Sequence, residues 1–227
     1  MLQPIILSLK VATISTIITL VIGMVLAYIM TYKDFSGKEM LESIITLPLV
    51  LPPSIVGYIL LIALGKNSFI GSFLYKTFGI RIIFTWIAAV VASIVVTLPL
   101  MYQSIRASFS NVDPIFKNAA ETLGAGKIRV FFTILIPLSS TGILSGLILS
   151  FCRALGEFGA TLFVAGNIPG KTQTIPLAIY FAVESGDTVT ANKLVLIMVV
   201  FSFIIMWALN YILKKKHYIE LIRREKC

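Results

Sequence analysis

Five stretches of this chain contain no Asp, Glu, Lys or Arg: Val11–Tyr32, Ser43–Gly65, Ile82–Ile105, Val130–Cys152 and Leu194–Leu213. They run 22, 23, 24, 23 and 20 residues. About 20 apolar residues, at ~1.5 Å each in a helix, cross the hydrocarbon core of a bilayer. Backbone N–H and C=O groups find no partners in lipid, so a spanning segment is a helix or a strand of a closed barrel. These runs lack the two-residue alternation of a barrel. They predict an all-α integral membrane protein, a polytopic bundle of about five transmembrane helices. Composition agrees: 58% of the residues are hydrophobic and 13% charged, where a soluble domain carries about 25% charged. The first run is too long for the apolar region of a signal peptide and no clear small-residue cleavage site follows it, so it is expected to be retained.

A net charge of +9 could indicate nucleic acid as a partner. The charges instead fall between and after the apolar runs, the pattern that sets membrane topology. Five spans place the termini on opposite sides. The side holding the 32–43 link, the 106–129 link and the C-terminal tail carries twelve Lys and Arg; the other side carries six. The bias predicts the N-terminus outside and the C-terminus in the cytoplasm of a multi-pass protein in a bacterial or archaeal cytoplasmic membrane. Membrane lipid is then a partner and nucleic acid is not. The basic tail at 214–227 reads as a topology anchor. Cys152 lies in an apolar run and Cys227 ends the chain, so no disulfide is expected between them.

The cytoplasmic 106–129 link contains "AAETLGAGK" at Ala119–Lys127. A phosphate loop needs G-x-x-x-x-G-K-[ST]. Here Glu121 stands five before Gly126, and Ile128 stands where the magnesium-binding hydroxyl belongs. Nucleotide binding at this site is excluded. A short helix fits instead, with Asp113 as N-cap, Pro114 at the first helical position and Gly124 at the C-terminal end. Val112, Phe116, Ala119, Ala120 and Leu123 share one face; Lys117, Asn118 and Glu121 share the other. Such a helix either caps the bundle or is offered to a partner's groove, and periodicity does not separate the two.

The run "NAAETLGAGKIRVFFTILIPL" resembles the EAA loop of ABC importer permeases. Ala119, Ala120, Gly124, Ile134 and Pro137 match that pattern; Asn118 stands where it has Glu, and Ile136 where it has Leu. "LPLVLPPSIVGYILLIALGKNSFIG", "RALGEFGATLFVAGNIPG" and "TIPLAIY" resemble the molybdate branch of the family, which is close to the sulfate branch. The resemblance covers about Leu7 to Leu213. It implies a type I ABC importer permease fold over 7–213, with spans at about 11–32, 43–65, 82–105, 130–155 and 194–213. It implies a homodimeric channel for an oxyanion, served by an extracytoplasmic binding protein. Two cytoplasmic ATP-binding subunits would receive the loop through Phe116, Asn118, Ala119, Ala120, Glu121, Leu123 and Gly124. ATP would be hydrolysed by those partners, so this chain is expected to be no enzyme and to need no cofactor or metal.

The second run holds Pro48, Pro52 and Pro53, each lacking an N–H, so carbonyls near Ile44, Pro48 and Leu49 lose helical partners. Broken helix at membrane depth is tolerated where it lines a cavity or is buried in protein. Pro48, Pro52, Pro53 and the adjacent Ser54 are therefore pore or gate candidates, with a packing kink as the alternative. Two stripes of small residues, Gly142–Gly146–Ser150 and Ser15–Thr19–Gly23–Ala27, read as helix-packing faces with a dimer contact as a further use. Arg153 and Glu157 are four apart and read as an intramembrane ion pair holding a helix corner, ahead of an anion site. In the outer loop at 166–193, "IPLAIYFAV" is too short to span and reads as interfacial or re-entrant. Trp86, Trp207, Tyr32 and Tyr211 read as interface anchors.

Among functions, an importer of molybdate leads, with tungstate, sulfate or thiosulfate as alternative cargo. An ion-coupled secondary transporter would want more polar groups at mid-membrane than Arg153 and Glu157. An intramembrane enzyme ranks last, because the single histidine, His217, lies in the tail and no nucleophile–base pair is visible.

Overall fold

The computed structural model describes residues 2–225 and, within them, the side chains up to 208 together with 211 and 212. Every regular element among the described residues is helical. The first helix, α1 (Leu2–Tyr32), begins well before the charge-free run. Lys10 lies within it, its ammonium group over the Trp86 ring, 3.7 Å from the centroid. That cation–π contact lets the stem lie along the helix while the charge is held at the bundle end.

The charge-free run at 43–65 is not one helix. It forms α2 (Lys38–Val50) and α3 (Pro53–Leu64), with a bend of 117° between them. The three prolines act differently. Pro48 is accommodated inside α2, Pro52 occupies the extended link, and Pro53 opens α3, where its missing N–H removes no intrahelical bond. A short amphipathic helix, α4 (Phe69–Phe78), follows in the link to α5 (Trp86–Ser110). Then come α6 (Pro114–Thr122) and α7 (Lys127–Val130).

The fourth run is also bent. After α7 the chain forms a π-helical turn (Phe131–Leu135), then α8 (Ile136–Leu138) and α9 (Ser140–Leu155), with a 74° bend at Ser139. Pro137 donates no hydrogen bond and its ring crowds the preceding turn, which accounts for a widened turn there. Two shorter helices, α10 (Gly159–Ala165) and α11 (Ile175–Glu184), precede α12 (Thr188–Glu225). Among the described residues three single helices are long and apolar enough to cross a membrane, α1, α5 and the Thr188–Ala208 part of α12, and counting each of the two bent pairs as one span brings the number to five. The side chains of the basic tail at 214–227, including Cys227, lie outside the described residues.

α5 is the central post. Thr19 of α1 meets Thr97 hydroxyl to hydroxyl at 3.3 Å, and Tyr32 donates to the Phe109 carbonyl at 3.0 Å, so α1 runs parallel to α5. α9 runs the other way. A Cβ on Gly142 would stand 2.4 Å from the Ser108 Cβ, and one on Gly146 would stand 2.9 Å from the Ser104 Cβ. Both small-residue stripes are thus used inside this chain, against α5, and neither is free for a second copy. The small side chains replace hydrophobic driving force with close backbone approach, the usual basis of helix association in lipid.

Candidate functional site

The two ends of α5 define the two ends of the molecule. At the Ser110 end, Arg106 is ion-paired with Glu42 of α2. At the Trp86 end, α3 finishes beside the residues that lead into α5, with Leu61, Leu64, Ile82 and Ile83 lining one cavity. The bent α2–α3 pair therefore still carries the chain from one end to the other, as a broken span.

α6 lies at the Ser110 end. The Asp113 carboxylate accepts from the Ile115 N–H at 2.9 Å, Pro114 fills the first position, and Gly124 takes a left-handed φ of 82° just beyond the end. These features satisfy the orphan donors and carbonyls of a short helix. No residue of α6 is buried. Phe116 is 54% exposed and Leu123 87%, and Ile115 and Ile128 are exposed beside them. Ala119, Asn118 and Glu121 are also exposed, while Ala120 is half-buried. Lys117 is half-buried and turns inward, its ammonium 4.9 Å from the centroid of the Tyr32 ring. A helix that merely capped the bundle would bury its apolar face and solvate its lysine. Here Ile115, Phe116 and Leu123 stay exposed and Lys117 is drawn against the Tyr32 ring, while Val112 and Ala120 are half-buried.

Beneath α6 lies an aromatic cluster. Tyr28, Tyr32, Phe109, Phe131 and Phe132 meet at centroid distances of 5.1 to 6.4 Å. It joins α1, α5 and the π-helical turn through packed rings. Sequence reading did not single out this cluster; Phe131 and Phe132 sit in an apolar run with no local signal.

The break at Leu51–Pro52 lies farther along α2. Pro52 and Ser54 are exposed; Pro48 and Pro53 are half-buried. α3 leans on α10 at this point. A Cβ on Gly57 would stand 2.7 Å from the Ala160 Cα, and one on Gly159 would stand 3.0 Å from the Pro53 Cβ and 3.2 Å from the Ser54 N. The approach at Gly57 requires glycine, and at Gly159 a Cβ would press on Pro53 and Ser54.

α10 is fixed in turn by Glu157, which is only 2% exposed. One carboxylate oxygen accepts from the Arg153 guanidinium at 2.7 Å and the other from the Ala160 N–H at 2.8 Å. α9 ends at Leu155 and turns at Gly156, so the pair bridges a corner rather than lying along a continuous helix. A buried carboxylate with both oxygens occupied by a cation and a helix N-terminus is compensated. Pro53 and Ser54 thus adjoin the corner held by the Arg153–Glu157 pair, while Pro48 lies back inside α2 and α6 lies at the other end of α2 from the break. Among the described residues no group of three or more His, Cys, Asp or Glu converges as a metal site would.

α11 is held by its first residue, whose N–H donates to the Ser8 hydroxyl at 2.8 Å, and it buries Ile175, Leu177 and Ala178. It is a packed short helix between α1 and α12.

Residues 19–218 match the family described as "Binding-protein-dependent transport system inner membrane component". The molybdenum transport system permease protein ModB of Haemophilus influenzae is 45% identical over 210 residues, 92% of each chain. ModB of Escherichia coli K12 is also 45% identical, over 203 residues and 89% of each chain. The sulfate transport system permease protein CysT of Escherichia coli K12 is 32% identical over 88% of this chain and 72% of its own. In fold the chain is similar to a bacterial ABC transporter involved in import of the acidic polysaccharide alginate, with a TM-score of 0.75 at 15% identity, covering 94% of this chain and 79% of that one. It is likewise similar to the MetNI methionine ABC transporter, with a TM-score of 0.70 at 14% identity and 94% coverage of both. With a family match over most of its length and the fold shared with ABC importers, this chain belongs to the inner-membrane components of binding-protein-dependent transport systems.

Proposed function

We propose that this chain is the channel-forming subunit of an ATP-driven molybdate importer, acting as two copies with two cytoplasmic ATP-binding subunits and an extracytoplasmic oxyanion-binding protein. The observation that carries the coupled mechanism is α6, which turns its lysine inward and its apolar side outward. A groove on an ATP-binding partner would cover Ile115, Phe116, Ala119 and Leu123 as a helix-in-groove contact. The ATP chemistry belongs to that partner. The cargo assignment follows the 45% identity with the two ModB proteins.

In this reading the α6 end faces the cytoplasm, and the N-terminus and Trp86 face outward, in accord with the twelve-to-six distribution of Lys and Arg. Displacement of α6 moves the aromatic cluster and the end of α5. The Arg106–Glu42 pair transmits it to α2, whose far end is the Leu51–Pro52 break. The break is the two-state element such coupling requires: α2 re-angles while α3 stays seated on α10. Pro48, Pro52, Pro53 and Ser54 then line the changing part of the path. Arg153, neutralised by Glu157, holds the fixed part and gives a passing dianion little net attraction. The loop at 166–193, which includes α11, offers a surface for the binding protein.

Reconstitution in proteoliposomes with the two partner proteins tests this. Uptake of labelled molybdate is expected to require ATP inside and binding protein outside, and excess tungstate is expected to compete. Uptake driven by an ion gradient without the partners would overturn the reading. Stronger competition by sulfate than by tungstate would move the cargo to the CysT-like alternative.

A further inference from the structure

The link from Lys66 to Arg81 carries three cations, Lys66, Lys76 and Arg81, and no Asp or Glu. It is nevertheless a built structure. The Ser68 hydroxyl caps α4, accepting from the Gly71 N–H at 2.9 Å, and Gly79 closes it with a φ of 66°. Gly71 lies so near the end of α3 that a Cβ there would stand 2.1 Å from the Gly65 carbonyl oxygen and 2.6 Å from that of Leu64. α4 is therefore seated with its Gly71 side against α3. Its opposite side carries Phe69, Ile70 and Phe73, all exposed, Phe69 at 90%.

Beside α4 is a cavity of about 310 Å³ walled by Leu61, Leu64, Leu74 and Ile82. Lys66 and Arg81 stand at its rim and approach the Tyr75 ring to 5.3 and 5.0 Å from its centroid. Among the described residues neither is paired with a carboxylate. The hydrogen bond from Arg81, then the charges of Arg81 and Lys66, hold the Tyr75 hydroxyl below its ordinary pKa, consistent with a positive rim lacking a counter-ion. Trp86 marks the start of α5 soon after this link.

We propose that this corner binds an anionic phospholipid, with its phosphate at Lys66 and Arg81, one acyl chain in the cavity and the other passing over the exposed Phe69 and Phe73. An exposed aromatic side flanked by cations without acids is the profile of an interfacial helix. Bound lipid would brace α4 against α3, and so the outer half of the broken span. Attraction to an anionic surface is worth about fivefold per cation, so removing both predicts roughly a 25-fold loss.

The test uses the full chain with Lys214, Lys215, Lys216, Arg223, Arg224 and Lys226 replaced by Gln, so that the basic side chains of the tail do not contribute. Retention of phosphatidylglycerol against phosphatidylcholine from equimolar mixed micelles is read by native mass spectrometry. Preference for phosphatidylglycerol is expected, falling more than about tenfold in Lys66→Gln/Arg81→Gln and returning in Lys66→Arg/Arg81→Lys. Both positions are exposed, and an unchanged helical circular dichroism signal confirms that the variant is folded. Equal retention by the parent and the Gln variant would overturn the proposal. Displacement of the lipid by millimolar inorganic phosphate would identify a free-anion site and overturn it. Loss of binding-protein docking in the Gln variant with lipid retention intact would make the corner a protein dock and also overturn it.

Discussion

α6 and α10 are two short helices opened by the same device, a carboxylate accepting a backbone N–H from the first turn. Asp113 serves α6 and Glu157 serves α10. Their surroundings are opposite. α10 buries Ala160, Thr161, Val164 and Ala165, and its capping carboxylate also holds Arg153. α6 buries nothing and shows its apolar side to the outside. Identical capping chemistry is structural in one place and a means of presentation in the other. Packing around the helix, and not the cap, separates them.

The comparison breaks first at Glu157. Glu157→Ala leaves the Arg153 guanidinium without its carboxylate and the Ala160 N–H without its acceptor. Loss of a partner from a buried pair costs on the order of 3 kcal/mol, so the variant is expected to unfold earlier in detergent and to accumulate poorly. Glu157→Gln retains an acceptor for the Ala160 N–H and is expected to recover part of the loss. Thermal unfolding near the parent's for Glu157→Ala would show that α10 does not depend on this corner.

On the α6 side the expected effect falls on partnership. Leu123→Asp or Phe116→Ala is expected to weaken association with the ATP-binding subunit by about tenfold, or about 1.4 kcal/mol. Unfolding of the isolated chain should move by less than about 0.5 kcal/mol, as for surface substitutions. Co-purification and uptake measured on one preparation check both halves. A stability loss as large as that of Glu157→Ala would mean that α6 is packed after all.

The smallest effect belongs to Asp113. Asp113→Ala removes an exposed cap worth about 1 kcal/mol. That energy acts locally on α6, so hydrogen exchange at Ile115–Ala119 should quicken while global unfolding stays in place. Global destabilisation instead would remove the contrast between the two caps.

Both ends of α6 are legible in the sequence because capping is a local matter: Asp113, Pro114 and Gly124 each act within a few residues. The direction in which α6 faces is not legible, since Lys117 meets Tyr32 only once α1 and α5 are packed. The prolines mark 43–65 as weakened, but the 117° bend and the seat of α3 on Ala160 at Gly57 are visible only in the structure. The four-residue spacing of Arg153 and Glu157 reveals their pairing, but not the second carboxylate contact at Ala160. α4 escapes a search for charge-free runs, because it is short and lies between Lys66 and Arg81. Its capping serine and left-handed Gly79 were its available signals.

The seams along α5 have a consequence for variation. Gly23 is held near Met101, Gly142 near Ser108 and Gly146 near Ser104, with no room for even one methyl group. A library of this gene selected for uptake would accept apolar side chains of many shapes on the lipid-facing sides of α1 and α9. Along two lines facing α5 it would return the same three glycines.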